Sequence, residues 1–417
     1  MTERDYSSRP WIVVAGGFHR TGGMDRANLA LAEYLLNRGT PVYLVTHSVA
    51  PELNQHPLST VHLVSRPAGS FILGELKLNT EGRSIARAIL RKYPGARVVV
   101  NGGNCEWGDI NWVHCVHHAW PCVDRQSPLW FRWKNRMAKQ WAIKREAAVI
   151  GTAGLVLANS ERTRQALIEL VGVEPGRIHT VYLGSESGLE PPSGAERAQS
   201  RAQFSGLGAK PLVVFVGALS HDCNKGFDTL WSAWTTLCKK QSWDSHLAVA
   251  GSGSGLESWK QAAKLSNLSH CVHFLGLSDR VNEILAAADL LVSPVRYEAY
   301  GLNVQEAIVR GVPAIVSASA GIAERFPSEV APLLLGDPED GASLVTKLLQ
   351  WRSNMEHWRA SFESFGRQLR TYRWHDMARD IVALAERNEP GEPSILLGKC
   401  RAATCIRPLS FPCGRGY

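Results

Sequence analysis

The chain has 417 residues, more than one compact core ordinarily holds, and at roughly 100–200 residues per domain two domains are expected. Apolar residues make up 45% and charged residues 20%, a balance that excludes the disordered class. The net charge of +8 favours an anionic partner without choosing among a phosphorylated substrate, a nucleotide, an acidic membrane surface and nucleic acid.

Residues 1–10 carry no apolar signal core, and no window reaches 18 consecutive apolar residues, so a cytoplasmic, non-spanning protein is expected. From there short β-rich runs alternate with helix-period stretches, the mark of βα units in a parallel sheet. The predicted strands of the first half are 11–15, 42–46, 61–64, 97–100, 112–116, 155–158 and 179–183, with helices at 24–38, 83–92, 130–149 and 161–171. A polar Ser-, Gly- and Pro-rich stretch at 187–210 reads as a linker with a short helix. The alternation restarts with strands 212–216, 246–250, 272–275, 290–293 and 314–316 and helices 226–240, 256–265, 281–287, 304–310 and 341–351. The predicted architecture is two doubly wound α/β domains, 1–186 and 211–372, with the site between them beyond the carboxyl ends of the strands. Residues 388–417 lose the pattern and read as a loosely ordered tail. Nine scattered cysteines, Cys105, Cys115, Cys122, Cys223, Cys238, Cys271, Cys400, Cys405 and Cys413, include no Cys-x-x-Cys pair, which points to a reducing compartment and away from structural zinc.

Five stretches carry candidate chemistry. The first strand runs into AGGFHRTGGM, where Gly16, Gly17, Gly22 and Gly23 permit close backbone approach to a ligand; a plain tight turn is the alternative. The Gly-x-Gly-x-x-Gly dinucleotide pattern is absent there, and GSGSGL at 251–256 also fails it. NWVHCVHHAWP, 111–121, ends a strand with His114, His117 and His118; His117 first and His118 second are placed to hydrogen-bond a ligand, and a satisfied structural histidine is the alternative. Residues 125–145 hold seven Lys or Arg and no acid, interleaved with Trp130, Phe131, Trp133 and Trp141. That stretch reads either as a helix for an anionic membrane surface or as an ordinary packed helix. VGALSHDCNKGFDTL, 216–230, sets Lys225 and Gly226 at a helix start, where the amine can neutralise a leaving diphosphate or simply lie in solvent. YEAYGLNVQEAIVRGVPAIVS, 297–317, carries Glu298 and Gly301 on a loop and Glu306 on the following helix, whose free opening amides near Leu302 make an anion site. Asn303-x-x-Glu306 also fits a capping box, in which Glu306 serves only its own helix.

The Glu298-x7-Glu306 spacing with Gly301 between and the GVPAIVS strand after it resembles the donor-site signature of glycosyltransferase family 4, and the likeness runs from about residue 11 to 387. It implies the GT-B fold: two Rossmann-like domains across a cleft, with a closing helix at about 373–387 crossing back to the first. It also implies retaining transfer of a sugar from a nucleoside diphosphate sugar, UDP rather than GDP, to a saccharide, lipid-linked or other hydroxyl. Glu298, Lys225 and His117 would be the catalytic groups, with Gly217, Arg296, Tyr300, Gly301, Leu302 and Glu306 against the donor. The glycine-rich loop and His118 would line the acceptor side. Many members have an arginine directly after the strand glycine; here Ala218 and Leu219 follow Gly217, so neutralisation rests on Lys225 with help from Arg296. No metal and no cofactor beyond the nucleotide sugar are expected, nor nucleic acid, since no RNA-binding motif is present. A monomer or weak homodimer, with peripheral contact to the inner membrane face, completes the expectation. Rival readings are another enzyme on the same frame, such as a sugar-nucleotide epimerase or a phosphorylase, and a non-catalytic nucleotide-sugar binder.

Overall fold

The computed structural model describes residues 9–120 and 127–388. In chain order the first half holds β1 (Trp11–Val14), β2 (Gly17–Phe18), α1 (Gly23–Asn37), β3 (Val42–Thr46), β4 (Ser48–Val49), α2 (Pro51–Asn54), β5 (Ser59–Leu63), α3 (Phe71–Lys92), β6 (Arg97–Asn101), β7 (Ile110–Val113), α4 (Leu129–Ile150), β8 (Leu155–Ala158), α5 (Glu161–Ala166) and β9 (Ile178–Thr180). The second holds α6 (Gly194–Arg201), β10 (Leu212–Val216), α7 (Phe227–Leu237), β11 (His246–Ala250), α8 (Leu256–Leu265), β12 (Val272–Gly276), α9 (Val281–Ala287), β13 (Leu290–Ser293), α10 (Leu302–Val309), β14 (Ala314–Ser317), β15 (Leu334–Leu335), α11 (Gly341–Ser353), α12 (Met355–Arg370) and α13 (Trp374–Arg387).

Two large all-parallel sheets result, in the orders β5-β3-β1-β6-β7-β8-β9 and β12-β11-β10-β13-β14-β15, and β2 pairs with β4 in a short parallel ribbon. Continuous Val/Ile/Leu runs suit such strands because helices cover both faces. In β1, Trp11 and Val13 join the core under α1, whereas Ile12 and Val14 join a second core with Leu78 and Ala86 of α3, the period-2 alternation of a strand covered on both sides. β1 pairs with both β3 and β6, so the loop after it emerges at the middle of the sheet's carboxyl edge.

The chain passes between the halves twice, and the two crossings lie side by side. Ser185 and Tyr372 share a backbone hydrogen bond of 2.9 Å, Trp374 returns one to Ser185 at 3.3 Å, and a side chain on Gly184 would meet the Trp374 nitrogen at 2.3 Å. After the second crossing α13 lies on α1, with His375 edge-on to Tyr34 at 4.9 Å and Arg38 bonded to Glu386 at 2.8 Å. Arg97, the first residue of β6, caps the end of α13 through the Asn388 carbonyl at 2.8 Å and is itself paired with buried Asp109 at 2.7 Å.

The strand expected at 112–116 instead runs Ile110–Val113, so His117 sits on a short 3-10 turn, His117–Ala119, beyond the strand end. No disulfide joins the described cysteines. Cys122, Cys400, Cys405 and Cys413, and the tail from 389, lie outside the described residues.

Candidate active site

Two loops of the second half converge to build the centre of the site. β10 leads into 217–226 and β13 into 294–301, and buried Asn224 joins them: its Nδ2 donates to the Tyr297 carbonyl at 3.0 Å and its Oδ1 accepts from the Tyr297 amide at 3.1 Å. Gly226 is obligatory at this junction, because φ is +71° and a Cβ would lie 1.8 Å from the Pro294 carbonyl oxygen. The result puts Lys225 and Glu298 face to face as an ion pair, each about one quarter exposed. Gly217 backs the lysine, with its missing Cβ 3.3 Å from Lys225 Cγ.

Gly301 then opens α10 with φ +108°. The Val304 and Gln305 amides bond back to the Gly301 carbonyl, while the amides before them lack intrahelical partners, as in any first helical turn. The glycine-rich loop of the first half lies opposite: a Cβ on Gly23 would be 3.6 Å from Leu302 Cδ2. Within that loop Gly17 leaves no room for a side chain beside the Asp25 carboxylate, and Gly22 has φ +83°.

Glu306 is not a helix cap. Its Oε1 accepts from Arg26 of α1 at 2.7 Å, across the cleft, and Arg26 also pairs with Glu186 at the first crossing. Asn303, the other member of the suspected capping box, donates to the Val216 carbonyl at 2.9 Å. Burial raises the Glu306 carboxyl above its ordinary value, with Arg26 opposing the rise. Arg26 escaped the sequence reading although a signal existed, because a cation in the first turn of a helix opposes the dipole and asks for a tertiary partner.

His117 is held rigidly. Its Nδ1 lies 2.5 Å from Glu146 Oε1 and its amide donates to the same carboxylate at 2.9 Å, leaving Nε2 for a ligand. Burial works against the imidazolium, but the hydrogen bond and charge of Glu146 outweigh it and the pKa rises. His118 is exposed on the same turn. His114 is half-buried against Trp112, and desolvation of its ring pushes it down to about 3, so it stays neutral inside the fold. The Val116 amide donates to the Tyr297 hydroxyl at 2.8 Å, which ties the histidine turn to the Glu298 loop across the cleft.

Two expected donor residues point elsewhere. Tyr300 is buried, with its hydroxyl donating to Gln305 and accepting from Arg325 at 2.8 Å, so its side chain is committed to the core behind the loop. Arg296 is bidentate to Asp228 at 2.9 and 2.8 Å and bonded to Glu339 at 3.0 Å, which braces the loop and commits its guanidinium. Asn224, Tyr297, Arg26 and Glu146 are the residues missed by the sequence reading, and all four act through partners far off in the chain. Among the described residues no cluster of His, Cys, Asp and Glu is arranged to hold a metal ion.

The family model for Glycosyltransferase Family 4 matches residues 21–186, and the model for Glycosyl transferases group 1 matches residues 210–354. The chain belongs to glycosyltransferase family 4. Among relatives of this family 4 chain, the mannosylfructose-phosphate synthase of Agrobacterium fabrum is 27% identical over 62% of this chain and 57% of its own length. A D-inositol 3-phosphate glycosyltransferase of Mycolicibacterium gilvum is 29% identical, with only 45% of its length matched. The corresponding protein of Geodermatophilus obscurus is 25% identical over 91% of both chains. Solved structures establish the GT-B fold: the sucrose-phosphate synthase of Thermosynechococcus elongatus superimposes with a TM-score of 0.71 at 20% identity, covering 91% of this chain and 98% of that one. HepE of Anabaena, solved with UDP and glucose, gives 0.64 at 18% identity over 91% and 99%.

Proposed function

We propose that this family 4 chain is a retaining glycosyltransferase that moves a sugar from a nucleoside diphosphate sugar, UDP rather than GDP, to an acceptor hydroxyl. The observation that carries the reading is the facing pair Lys225 and Glu298 beside the open amides of α10. Free of a ligand, each neutralises the other. A diphosphate seated on the α10 amides takes Lys225 for itself and releases Glu298 to accept hydrogen bonds from the sugar hydroxyls. Glu306 takes the ribose hydroxyls in the same way, with Arg26 turned to the phosphates or to Glu186.

In the transfer the acceptor oxygen bonds to the anomeric carbon on the face from which the diphosphate oxygen departs, and the acceptor proton passes to that diphosphate. Charge developing on the leaving group is met by Lys225 and the helix-start amides, fixed donors in a partly desolvated cleft. His117 Nε2 holds a hydroxyl of the transferred sugar, since Nδ1 is spent on Glu146. A cation and backbone amides supply the neutralisation that a divalent metal supplies elsewhere, so chelator is expected to leave turnover unchanged.

The test is release of UDP from UDP-sugars on addition of acceptor extract, with anomeric configuration of the product read by NMR. Glu298→Gln and Lys225→Ala are each expected to lower turnover by about 10²–10³, the scale for loss of one preorganised charge-stabilising group, while melting within about 1 kcal/mol of the parent. Wild-type turnover in both variants would sink the donor assignment, and an inverted product would sink the retaining mechanism.

A further inference from the structure

Helix α4 begins with an amphiphilic stretch that no core covers. Its buried residues, Ala142, Glu146, Val149 and Ile150, all lie in its carboxyl-terminal half. Ahead of them Leu129 is 78% exposed, Trp130 65%, Trp133 69% and Met137 55%. The start of α3 adds exposed Phe71, Leu73 and Leu76. Singly exposed apolar residues are ordinary, but two indoles grouped with leucine, methionine and phenylalanine on two neighbouring helix ends mark an interaction surface. The reading of α4 as an ordinary packed helix therefore fails for its first half.

The charge on the first half of α4 is of one sign. Arg132, Lys134, Arg136, Lys139, Lys144 and Arg145 interrupt the apolar positions, and no acid appears in α4 before Glu146. Trp130, Lys134 and Met137 fall on one helix face by their i, i+4, i+7 spacing, and all three are exposed. Between α3 and α4 opens a cavity of about 1020 Å³ whose lining includes Phe71, Trp133, Arg136, Lys139 and His117. The same surface thus reaches the histidine of the candidate active site.

We propose that this face docks on an anionic lipid bilayer, with Trp130, Trp133 and Leu129 in the headgroup layer, and that the cavity receives an acceptor held in that bilayer. Indole rings seek the boundary between apolar and wet, and lysine and arginine reach phosphates while their stems lie along apolar matter, so one face satisfies both demands of a charged interface. A second copy of this chain fits poorly, because it would set the same six cations against themselves. Among the described residues no helix is long and apolar enough to cross a membrane, so the contact is peripheral. Docking stands apart from the transfer reading; only the acceptor clause rests on it.

The experiment is flotation of the full chain with vesicles of phosphatidylcholine alone and of phosphatidylcholine mixed with phosphatidylglycerol. Binding is expected to the mixed vesicles only and to fall as salt shortens the screening length from about 10 Å at 0.1 M to about 3 Å at 1 M. The variant Trp130→Ser/Lys134→Glu/Met137→Ser should partition on the order of tenfold less while melting as the parent does, since all three side chains are exposed. Absence of binding to the anionic vesicles, equal binding to neutral ones, or unchanged binding by the variant would overturn the proposal. So would a concentration-dependent dimer in sedimentation that the variant dissolves. If docking holds while acceptor-dependent UDP release fails, the membrane surface survives and the transfer reading falls.

Discussion

Glu75 of α3 stands close enough to His117, Arg145, Glu146 and Arg66 for each to act on its charge. Burial is the largest influence and, with Glu146 adding to it, lifts the carboxyl to about 7 against the attraction of His117 and the arginines. The folded pKa lies above the unfolded one, so the native state holds this proton more tightly than the unfolded chain. The associated stability is complete below the unfolded carboxylate value and is lost as pH rises through about 7. Glu75→Gln keeps the shape and removes the buried charge. It should therefore melt above the parent at about pH 8, by about 2 kcal/mol at ~1.4 kcal/mol per pKa unit after allowance for relaxation. Near pH 3.5, below the unfolded carboxylate value, the gain should vanish. A gain of equal size at both pH values would mean that the charge is not what the glutamine relieves. Nothing in the spacing around Glu75 marks it in the sequence, because its environment is made by α4 and the histidine turn. Lys225, Glu298 and Gly301 lie in stretches that the sequence does single out, because glycine, loop and helix start are neighbours in each, but the facing of Lys225 and Glu298, 73 residues apart, comes only with the fold.

At the scale of elements, the turn into α7 shows how far a glycine can be read from its surroundings. Gly226 and Gly22 both have positive φ, +71° and +83°, but only Gly226 has a carbonyl where its Cβ would go. Gly22→Ala should cost about 1–3 kcal/mol, for a backbone at φ +83° and ψ 135° that suits glycine, with no clash added. Gly226→Ala adds displacement of Pro294 to its left-handed penalty and should cost roughly 3 kcal/mol or more in chemical denaturation, with Lys225 thrown out of register and UDP release lost. Equal costs at the two positions would show that the loops after β10 and β13 do not press on each other as described. Most strands were legible, since continuous β-branched runs signal buried parallel strands, whereas their order in each sheet comes from the fold. Helix extents were less so. α3 was expected only at 83–92, yet it begins at Phe71, because Gly74 and Gly82 and the exposed Phe71, Leu73 and Leu76 blur its period. Gly82 is there for packing, as a Cβ would sit 2.9 Å from Val14 Cγ1. α12 was missed although Trp358, Phe362, Phe365 and Leu369 recur at helical spacing and are buried.

Over the whole molecule, α13 joins the two halves into one folding problem. It follows the second crossing, yet Met377, Ala378, Ile381, Val382 and Ala385 are buried in the same core as Leu31 and Leu35 of α1. α13 packs directly on α1, and the Arg38–Glu386 bond joins residues 348 apart in the chain. Loss of apolar contact here should therefore be felt first in the amino-terminal half, although the substituted residue lies near the other end of the chain. Ile381→Ala removes a fully buried side chain and should cost about 2–5 kcal/mol, the range for cavity-forming truncations. Native-state hydrogen exchange should show the lost protection in α1 and β1, while β10 and β11 keep theirs. A surface helix merely resting on the fold would give under about 0.5 kcal/mol for the same change. Protection lost equally in both sheets would mean that the halves unfold as one unit, and protection lost only in the second would mean that α13 belongs to the donor half after all.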